Sequence, residues 1–385
     1  MKIGVFFCVN LAIIASGCIT SPKGSGCVYN NSDLGVQLQI ESEKEYCFYL
    51  DSTTSPIISY CKYLDSDGNM PLFSFINEWN NTIYYYDDES KHVCSRQSFN
   101  ASWPVQGYEI HKDTLILYNY DREEIFVSFA GGMDGVWSIK NSEEYPNTLY
   151  PAPNLMTRSP LLLMDGSQIV MPLFSPAAAT LEEEKDRKAL RILDFRTGVI
   201  KERVPFPKEI QEMDFGGGLT YLQPYIEKGH SNQIVVSFSF SHDLYVYDIV
   251  NDTYESHYAG SSRIRKINSF EGARKLRDSQ FSPAWEWYMR NPSYEGVLYD
   301  RYRHCYYRIA RLPLPRGAQI ASFGNNKPVV VIVLDESFNY LGEASLSQNE
   351  AYNPFCSFVS TDGLMIQVMN GSEDELCFHG FHFEL

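Results

Sequence analysis

The feature that most constrains this chain is a succession of short apolar and aromatic runs, each broken by Asp, Asn, Gly or Pro. Runs of roughly four to eight such residues predict β-strands separated by tight turns. Seven segments share one form, in which an apolar strand leads through an acidic or Asn turn into a second strand. These segments are 82–94, 115–129, 190–203, 244–258, 296–309, 330–344 and 364–383. The sequence therefore predicts an all-β fold.

The spacing of these hairpins favours one β-architecture over others. Their turn residues lie on average about 47 residues apart, close to the roughly 40–50 residues of a four-stranded propeller blade. Arranging the strands as repeated blades around an axis also leaves only short strand edges unpaired. We predict a single β-propeller over residues 27–385, with six to eight four-stranded antiparallel blades and seven favoured. The run 34–50 can supply a strand that closes the ring against the C-terminal segment. The alternative is a pair of β-sandwiches or a large irregular β domain.

The N-terminus has the layout of an export signal. A lysine at position 2 precedes an apolar run from Ile3 to Ala15 that is too short to span a bilayer. The small residues that follow end in Cys18, which resembles the acylated cysteine of a bacterial lipobox. We predict a lipoprotein signal peptide over 1–17, lipidation at Cys18 and a lipidated tether over 18–26. The alternative is an ordinary secretory signal that is cut elsewhere.

This layout predicts a protein held at the outer membrane of the cell envelope by its lipid. The residues directly after Cys18 carry no acidic cluster, which favours the periplasmic face over the cell surface. No later segment approaches the ~20 apolar residues that a transmembrane helix needs.

Charge excludes one class of partner. The chain has 32 Lys and Arg against 48 Asp and Glu, a formal net charge of −16. Because phosphate backbones require a cationic surface, we predict no nucleic-acid partner. We expect a monomer without a cofactor, a metal ion or catalytic residues, since no motif for any of these is present.

Seven cysteines follow Cys18, and an odd number cannot all pair. Their spacing does not match C-x-x-C metal or redox motifs. We expect mostly buried thiols, with a bridge between Cys356 and Cys377 on adjacent strands as the alternative. The seven are Cys27, Cys47, Cys61, Cys94, Cys305, Cys356 and Cys377.

Residues 263–316 are locally basic on this acidic chain and interleave Arg with Trp and Tyr. Guanidinium groups bind carboxylates bidentately, and aromatic faces stack on apolar faces of sugars. This segment is the candidate ligand site. Its candidate residues are Arg274, Arg277, Trp285, Trp287, Arg290, Arg301, Arg303 and Arg308. The competing interpretation is that these residues pack within a blade and that the arginines pair with Asp and Glu.

Three features together resemble a known family. They are the relaxed lipobox at Cys18, the segment 294–310 (YEGVLYDRYRHCYYRIA), and the run 329–346 (VVVIVLDESFNYLGEASL) followed by 358–366 (FVSTDGLMI). They resemble a Bacteroidetes lipoprotein family of unknown function with a β-propeller domain of the six- or seven-bladed type. The resemblance implies a fold and a location, and it brings no catalytic residues.

The functional hypothesis is a lipid-anchored envelope protein that binds or scaffolds a glycan, a peptide or a partner protein without catalysis. One alternative is a propeller hydrolase or lyase that acts on polysaccharide. That alternative predicts convergent carboxylates or a histidine cluster in the central funnel. Another is a structural subunit of an envelope complex, which predicts an exposed apolar patch on one rim.

Overall fold

A computed structural model shows how the hairpins assemble. It describes residues 19–20, 27–28, 35–56, 58, 61–64, 72–77, 79–99, 105, 107–111, 114–119, 122, 124–129, 134–139, 150–151, 161–174, 187–209, 213, 215, 224–270, 281–320, 327–348 and 350–384. Within these residues, six four-stranded antiparallel blades form a propeller ring. Each of blades 1–5 is consecutive in sequence.

The first three blades span residues 61–205. Two short strands, β1 (Ile19–Thr20) and β2 (Cys27–Val28), and then β3 (Ile40–Tyr49) precede them. Blade 1 contains β4 (Cys61–Leu64), β5 (Leu72–Asn77), β6 (Thr82–Asp87) and β7 (Val93–Ser98). Blade 2 contains β8 (Gly107–His111), β9 (Thr114–Asn119), β10 (Glu124–Phe129) and β11 (Asp134–Ser138). After β12 (Tyr150–Pro151), blade 3 contains β13 (Leu162–Met164), β14 (Gln168–Phe174), β15 (Lys188–Asp194) and β16 (Val199–Pro205).

The remaining blades complete the ring. Blade 4 contains β17 (Pro224–Lys228), β18 (Gln233–Phe238), β19 (Asp243–Asp248) and β20 (Thr253–Tyr258). The short strand β21 (Lys266–Ile267) and the helix α1 (Phe281–Arg290) precede blade 5. Blade 5 contains β22 (Ser293–Asp300), β23 (Cys305–Arg311), β24 (Val329–Asp335) and β25 (Tyr340–Ser345). Blade 6 contains β26 (Tyr352–Ser360), β27 (Gly363–Val368) and β28 (Glu375–Phe383), with β3 as its fourth strand.

The ring closes through β3, as the sequence predicted for the run 34–50. β3 pairs antiparallel with β28, so the N-terminal part of the chain supplies the outermost strand of the last blade. Cys47 lies directly opposite Cys377 in this register, and the two form a disulfide across 330 residues of sequence. The closure is therefore both hydrogen-bonded and covalent.

The proposed Cys356–Cys377 bridge is wrong for a topological reason. Cys356 lies on β26 and Cys377 on β28, and β27 runs between these strands. Cys356 is a buried thiol, as are Cys61 and Cys305, whereas the thiol of Cys94 is exposed. Three of the six cysteines whose side chains the structure describes are therefore buried thiols, so the expectation of mostly buried thiols holds for half of them.

The core lies between the blades. Five buried apolar clusters join neighbouring blades around the ring. Because inner strands are covered on both faces, they read as continuous apolar runs, and residues 329–334 of β24 are all buried. Outermost strands face solvent on one side, so most of β7 and much of β20 are exposed and polar. This difference explains why the hairpin pattern was visible in the sequence.

The all-β propeller is confirmed, and the blade number is six, whereas seven was favoured. Two of the seven predicted hairpins belong to one blade, since 296–309 joins β22 to β23 and 330–344 joins β24 to β25. Both hairpins share the same turn chemistry. The carboxylates of Asp300 and Asp335 each accept hydrogen bonds from backbone N–H groups that follow them. Turn chemistry alone therefore does not reveal which pair of strands a turn connects.

A small additional sheet lies outside the blades. β1 pairs with β2, and β2 pairs with β21, which gives a small three-stranded sheet. Within the described residues, no helix has the length and the apolar character needed to cross a bilayer. The signal segment 1–17 and Cys18 lie outside the described residues.

Replacing both Cys47 and Cys377 by Ala is expected to lower the free energy of unfolding by about 2–4 kcal/mol, because the disulfide restricts the unfolded chain. Urea denaturation followed by tryptophan fluorescence measures this loss. Cys94→Ala removes an exposed thiol and is the matched control, with little expected change. Equal midpoints for the double variant and the wild type would show that β3 pairing closes the ring without the disulfide.

Candidate functional site

The central axis of the ring holds a cavity of about 540 Å³. All six blades line it, each with residues of its innermost strand or of the turn that follows. The lining comprises residues 61–64, 109–111, 162–163, 227–229 with 231, 298–299 with 301–302, and 358–359. The volume lies within the ~300–1,000 Å³ range of small-molecule sites. The helix α1 precedes the start of β22, whereas the cavity is lined by the end of that strand, so the two lie at opposite ends of the ring.

The charged side chains of the lining differ from the rest of the molecule. Lys62, Lys228 and Arg301 face the same cavity as Glu109 and Glu227. On a protein with a net charge of −16, a lining with more cations than carboxylates is a local reversal of sign. Such a cavity favours an anionic group over a cationic one.

Lys62 and Glu109 form an ion pair that joins blade 1 to blade 2 across the cavity wall. Both side chains are about one-eighth exposed. In this largely buried position the ion pair orients both side chains while leaving a small part of each accessible from the cavity.

Aromatic rings supply flat surfaces in the same cavity. Tyr63 stacks on Phe358 with 5.2 Å between ring centroids and 9° between planes, which joins blade 1 to blade 6. In blade 5, the Arg301 guanidinium lies 5.0 Å from the ring centroid of Tyr302 and donates to its hydroxyl at 3.0 Å. The Arg301 side chain is exposed. The cavity therefore combines stacking surfaces with an exposed cation.

A second group of side chains, here called the rim cluster, consists of His230, Tyr299, His304 and Glu336. Tyr299 lines the cavity, and the other three lie in turns next to it. The Tyr299 hydroxyl donates to Glu336 Oε1 at 2.5 Å. This hydrogen bond, with the contact from His304, lowers the pKa of the Glu336 carboxyl. Desolvation and the same carboxylate raise the pKa of Tyr299 well above its ordinary value.

The structure places the predicted site residues in different environments. Arg301 lines the cavity, whereas Arg308 is fully buried on β23. The Arg308 guanidinium donates to the carbonyls of Ser241 at 2.8 Å, His242 at 2.6 Å and Ala259 at 3.0 Å, all in blade 4. It also stacks over the ring of Tyr294 at 4.0 Å. Arg308 thus joins blade 5 to blade 4.

Arg303 joins blade 5 to the other neighbour. Its guanidinium contacts the carboxylate of Asp300 at 3.0 Å and donates to the carbonyls of Ser360 at 3.4 Å and Thr361 at 2.6 Å, in blade 6. Arg311, which ends the same strand as Arg308, pairs with buried Glu295 and also reaches blade 6. The Arg- and Tyr-rich segment is therefore to a large extent inter-blade packing.

Three further candidates, Trp285, Trp287 and Arg290, are absent from the cavity lining. In α1, Trp285 and Trp287 pack against the core, and Trp287 stacks on Phe270 with centroids 5.2 Å apart. Arg290, at the end of this helix, donates to the carbonyls of Pro315 and Ala318. Arg274 and Arg277 lie outside the described residues. Of the six candidates that the structure describes, Arg301 lines the cavity, and ligand binding by any of the eight stays a prediction.

Several cavity residues were not singled out from the sequence, among them Lys62, Tyr63, Glu109 and Glu227. Each lies on the first strand of its blade. The signal that identifies them is this repeated position, which requires the blade boundaries to be known first. Without those boundaries, an isolated Lys or Glu in a strand does not indicate whether it faces the cavity.

The fold and the cavity define the class: the protein is a six-bladed β-propeller with an axial cavity. The chain belongs to the family described as a domain of unknown function (DUF4221), whose sequence profile matches residues 37–345. This membership confirms the family resemblance found in the sequence. No curated protein matches the chain in sequence.

Solved structures share the fold. A DUF4221 family member from Bacteroides vulgatus is 20% identical, with a TM-score of 0.70 over 90% of this chain and 99% of that chain. A candidate exported protein from Bacteroides fragilis is 9% identical, with a TM-score of 0.52 over 88% of this chain and 95% of that chain. Virginiamycin B lyase from Staphylococcus aureus is 11% identical over 88% of this chain and 99% of that chain, and its TM-score of 0.43 is too low to support any inference.

Arg308→Ala is expected to lower the free energy of unfolding by about 3 kcal/mol or more, because it leaves buried carbonyls without a donor and opens a void. Arg301→Ala removes an exposed cation and is expected to change stability by no more than about 0.5 kcal/mol. Chemical denaturation of both variants measures the difference. A stable Arg308→Ala protein would contradict the inter-blade role of this residue.

Proposed function

We propose that the protein is a lipid-anchored receptor of the cell envelope that binds a short acidic glycan in the axial cavity. The observation that carries the proposal is the cavity lining, where all six blades converge and cations outnumber carboxylates on an acidic protein. A fold alone does not define a function, so the argument rests on the chemistry of these side chains.

The lining matches three properties of an acidic sugar. The partly exposed rings of Tyr63 and Tyr302 provide faces for the apolar sides of pyranose rings. The paired Lys62 and Glu109 provide a donor and an acceptor for hydroxyl groups. The guanidinium of Arg301 provides a fork for a carboxylate. A short peptide with a free C-terminal carboxylate shares the last property, but its backbone offers no series of apolar ring faces to stack.

Attachment to the membrane is proposed from the N-terminal sequence. Residues 1–17 resemble a lipoprotein signal, and Cys18 directly precedes β1. The likeness to a candidate exported protein agrees with a location outside the cytoplasm. Because the chain is acidic, anionic lipid head groups repel it, and an acyl chain has to supply the attachment.

Cys18→Ser is expected to abolish incorporation of labelled fatty acid and to move the protein from the membrane fraction to the soluble fraction of cell extracts. Fractionation followed by immunoblotting measures this shift. Cys94→Ser, which replaces an exposed cysteine of the propeller, is the matched control and should remain in the membrane. Unchanged labelling of Cys18→Ser would overturn the anchor.

Binding is tested by thermal shift with oligosaccharides that contain uronic acids, neutral oligosaccharides of the same length, and dipeptides. A ligand at 100 times its Kd should stabilise the fold by about 2.7 kcal/mol. We expect a response to the acidic sugars that Arg301→Ala abolishes and that Arg316→Ala, an exposed arginine outside the cavity, leaves intact. A response confined to peptides, or one that survives in Arg301→Ala, would overturn the acidic-glycan assignment.

A hydrolase or lyase remains the second candidate because two carboxylates, Glu109 and Glu227, line one cavity. Paired carboxylates are the groups that glycoside hydrolysis requires. The same samples distinguish the two functions, since an enzyme shortens the oligosaccharide and a receptor returns it intact. Product analysis by mass spectrometry, repeated with Glu109→Gln and Glu227→Gln, measures this. Turnover that either variant abolishes would replace the receptor by an enzyme.

A further inference from the structure

The N-terminal part of the chain is joined to one particular place on the ring. In the small sheet outside the blades, Ile19 of β1 lies opposite Val28 of β2, and Val28 lies opposite Lys266 of β21. Because neighbouring strands are about 4.8 Å apart, the backbone of Ile19 lies roughly 10 Å from that of Lys266. Cys18 is the adjacent residue, and consecutive Cα atoms are ~3.8 Å apart. The lipid proposed for Cys18 is therefore attached beside β21.

β21 lies at the end of the ring where β22 begins, here called the α1 end. The side chain of Asn268, which follows β21, donates to the side chain of Asn291 at 2.8 Å, just before β22 starts. Ile267 of β21 is fully buried and belongs to the same apolar cluster as Met289 of α1. The cavity, in contrast, is lined by residues 298–299 near the other end of β22. The proposed lipid therefore leaves the protein at the end of the ring away from the cavity.

The surface next to β21 is basic, although the protein as a whole is acidic. Within the described residues 259–270, 281–292 and 312–320, which lie at the α1 end, one carboxylate is present, that of Glu286. The same residues contain five cations, which are Arg263, Arg265, Lys266, Arg290 and Arg316. The first of these is paired with the buried carboxylate of Glu343 at 3.6 Å. The other four are here called the basic face.

Contacts within the fold hold these cations on one surface. Arg290 ends α1 and donates to the carbonyls of Pro315 and Ala318, on either side of Arg316. The contact between the two asparagines brings β21, and with it Lys266, beside the same end of the helix. The side chains of Arg265 and Arg316 are exposed. The basic face is therefore accessible and lies next to the point where the lipid is attached.

The α1 end also presents an exposed aromatic side chain. Trp79, in the turn between β5 and β6, is 94% exposed. β5 starts opposite Leu64, which lines the cavity, and runs away from it, so its turn into β6 lies at the α1 end. Trp is enriched where proteins meet the head groups of a bilayer. Both the charge and the aromatic side chain of this end thus suit a lipid surface.

We propose that the α1 end, through its basic face, lies on the anionic head groups of the membrane and that the axial cavity faces away from the bilayer. The proposal rests on the lipid anchor of the proposed function and adds an orientation to it. The net charge of −16 does not prevent this contact. Charges act over only ~8 Å at physiological ionic strength, so the side chains nearest the bilayer dominate. In this orientation the cavity stays accessible to a ligand in solution.

Acetylation of lysines on the acylated protein tests the orientation, with the protein reconstituted in vesicles of phosphatidylglycerol and phosphatidylcholine. Lys266 belongs to the basic face, whereas Lys228 is exposed at the cavity. Peptide mass spectrometry gives the rate for each lysine relative to the unacylated Cys18→Ser protein in buffer. We expect the acetylation of Lys266 to slow by about 5-fold or more, because the bilayer shields it, and that of Lys228 to remain unchanged.

Two changes separate an electrostatic contact from simple proximity to the anchor. Arg265→Glu combined with Arg316→Glu should return the acetylation of Lys266 toward its rate in buffer, and so should vesicles of phosphatidylcholine alone. Arg196→Glu is the matched control and should keep the protection, because Arg196 is exposed in the turn between β15 and β16, at the cavity end. Circular dichroism confirms that each variant is folded. Protection of Lys266 that neither the lipid charge nor the double variant affects would overturn the role of the basic face.

Failure of the anchor is distinguishable from failure of the orientation. If the purified protein carries no acyl group, the anchor is wrong, and a maleimide lipid coupled to Cys18 of the chain 18–385 supplies the attachment instead. That sample carries Cys27→Ser and Cys94→Ser, so that Cys18 is the thiol that couples. In either sample, equal protection of Lys228 and Lys266, or stronger protection of Lys228, would overturn the orientation.

Discussion

The whole ring depends on one pairing, that of β3 with β28. A propeller buries apolar surface between blades, so an unclosed ring would leave two blade faces exposed to water. β3 prevents this exposure of blade faces through two sets of contacts. It supplies the fourth strand of blade 6, and its Phe48 stacks on Phe73 of blade 1 with 4.3 Å between centroids. The Cys47–Cys377 disulfide then fixes the position of the strand that makes both contacts.

Within the closed ring, blade 5 is tied to both neighbours by arginines whose acceptors are largely backbone carbonyls. A guanidinium has five donors in a rigid plane, so one buried side chain can satisfy several orphan carbonyls at blade edges. Arg308 does this toward blade 4, and Arg303 and Arg311 do it toward blade 6. The segment with the strongest family resemblance therefore owes much of its character to assembly of the ring, and among its arginines Arg301 lines the cavity.

The sequence was sufficient for the fold and insufficient for the site, and the reasons are physical. Strand and turn are local properties, so the hairpin around Asp335 and the closing strand were both predictable. The number of blades is harder to predict from local sequence, because Asp300 and Asp335 make the same kind of turn at different places in one blade. The role of an arginine depends on residues far away in the sequence, so its sequence neighbours do not predict it. Arg301 and Arg308 look alike in sequence, yet one is exposed at the cavity and the other is fully buried.

In blade 5, the environment of a side chain depends on its position along the first strand. The start of β22 carries Glu295, which is committed to a buried pair with Arg311 next to the covering helix α1. The end of the same strand carries Tyr299 and leads into Arg301, both facing the cavity. One strand thus contributes to a buried ion pair at one end and to the cavity lining at the other. Because the turns at this end of blades 4 and 5 are exposed, they can vary in chemistry without disturbing the inter-blade core, and there the fold brings His230, His304 and Glu336 together.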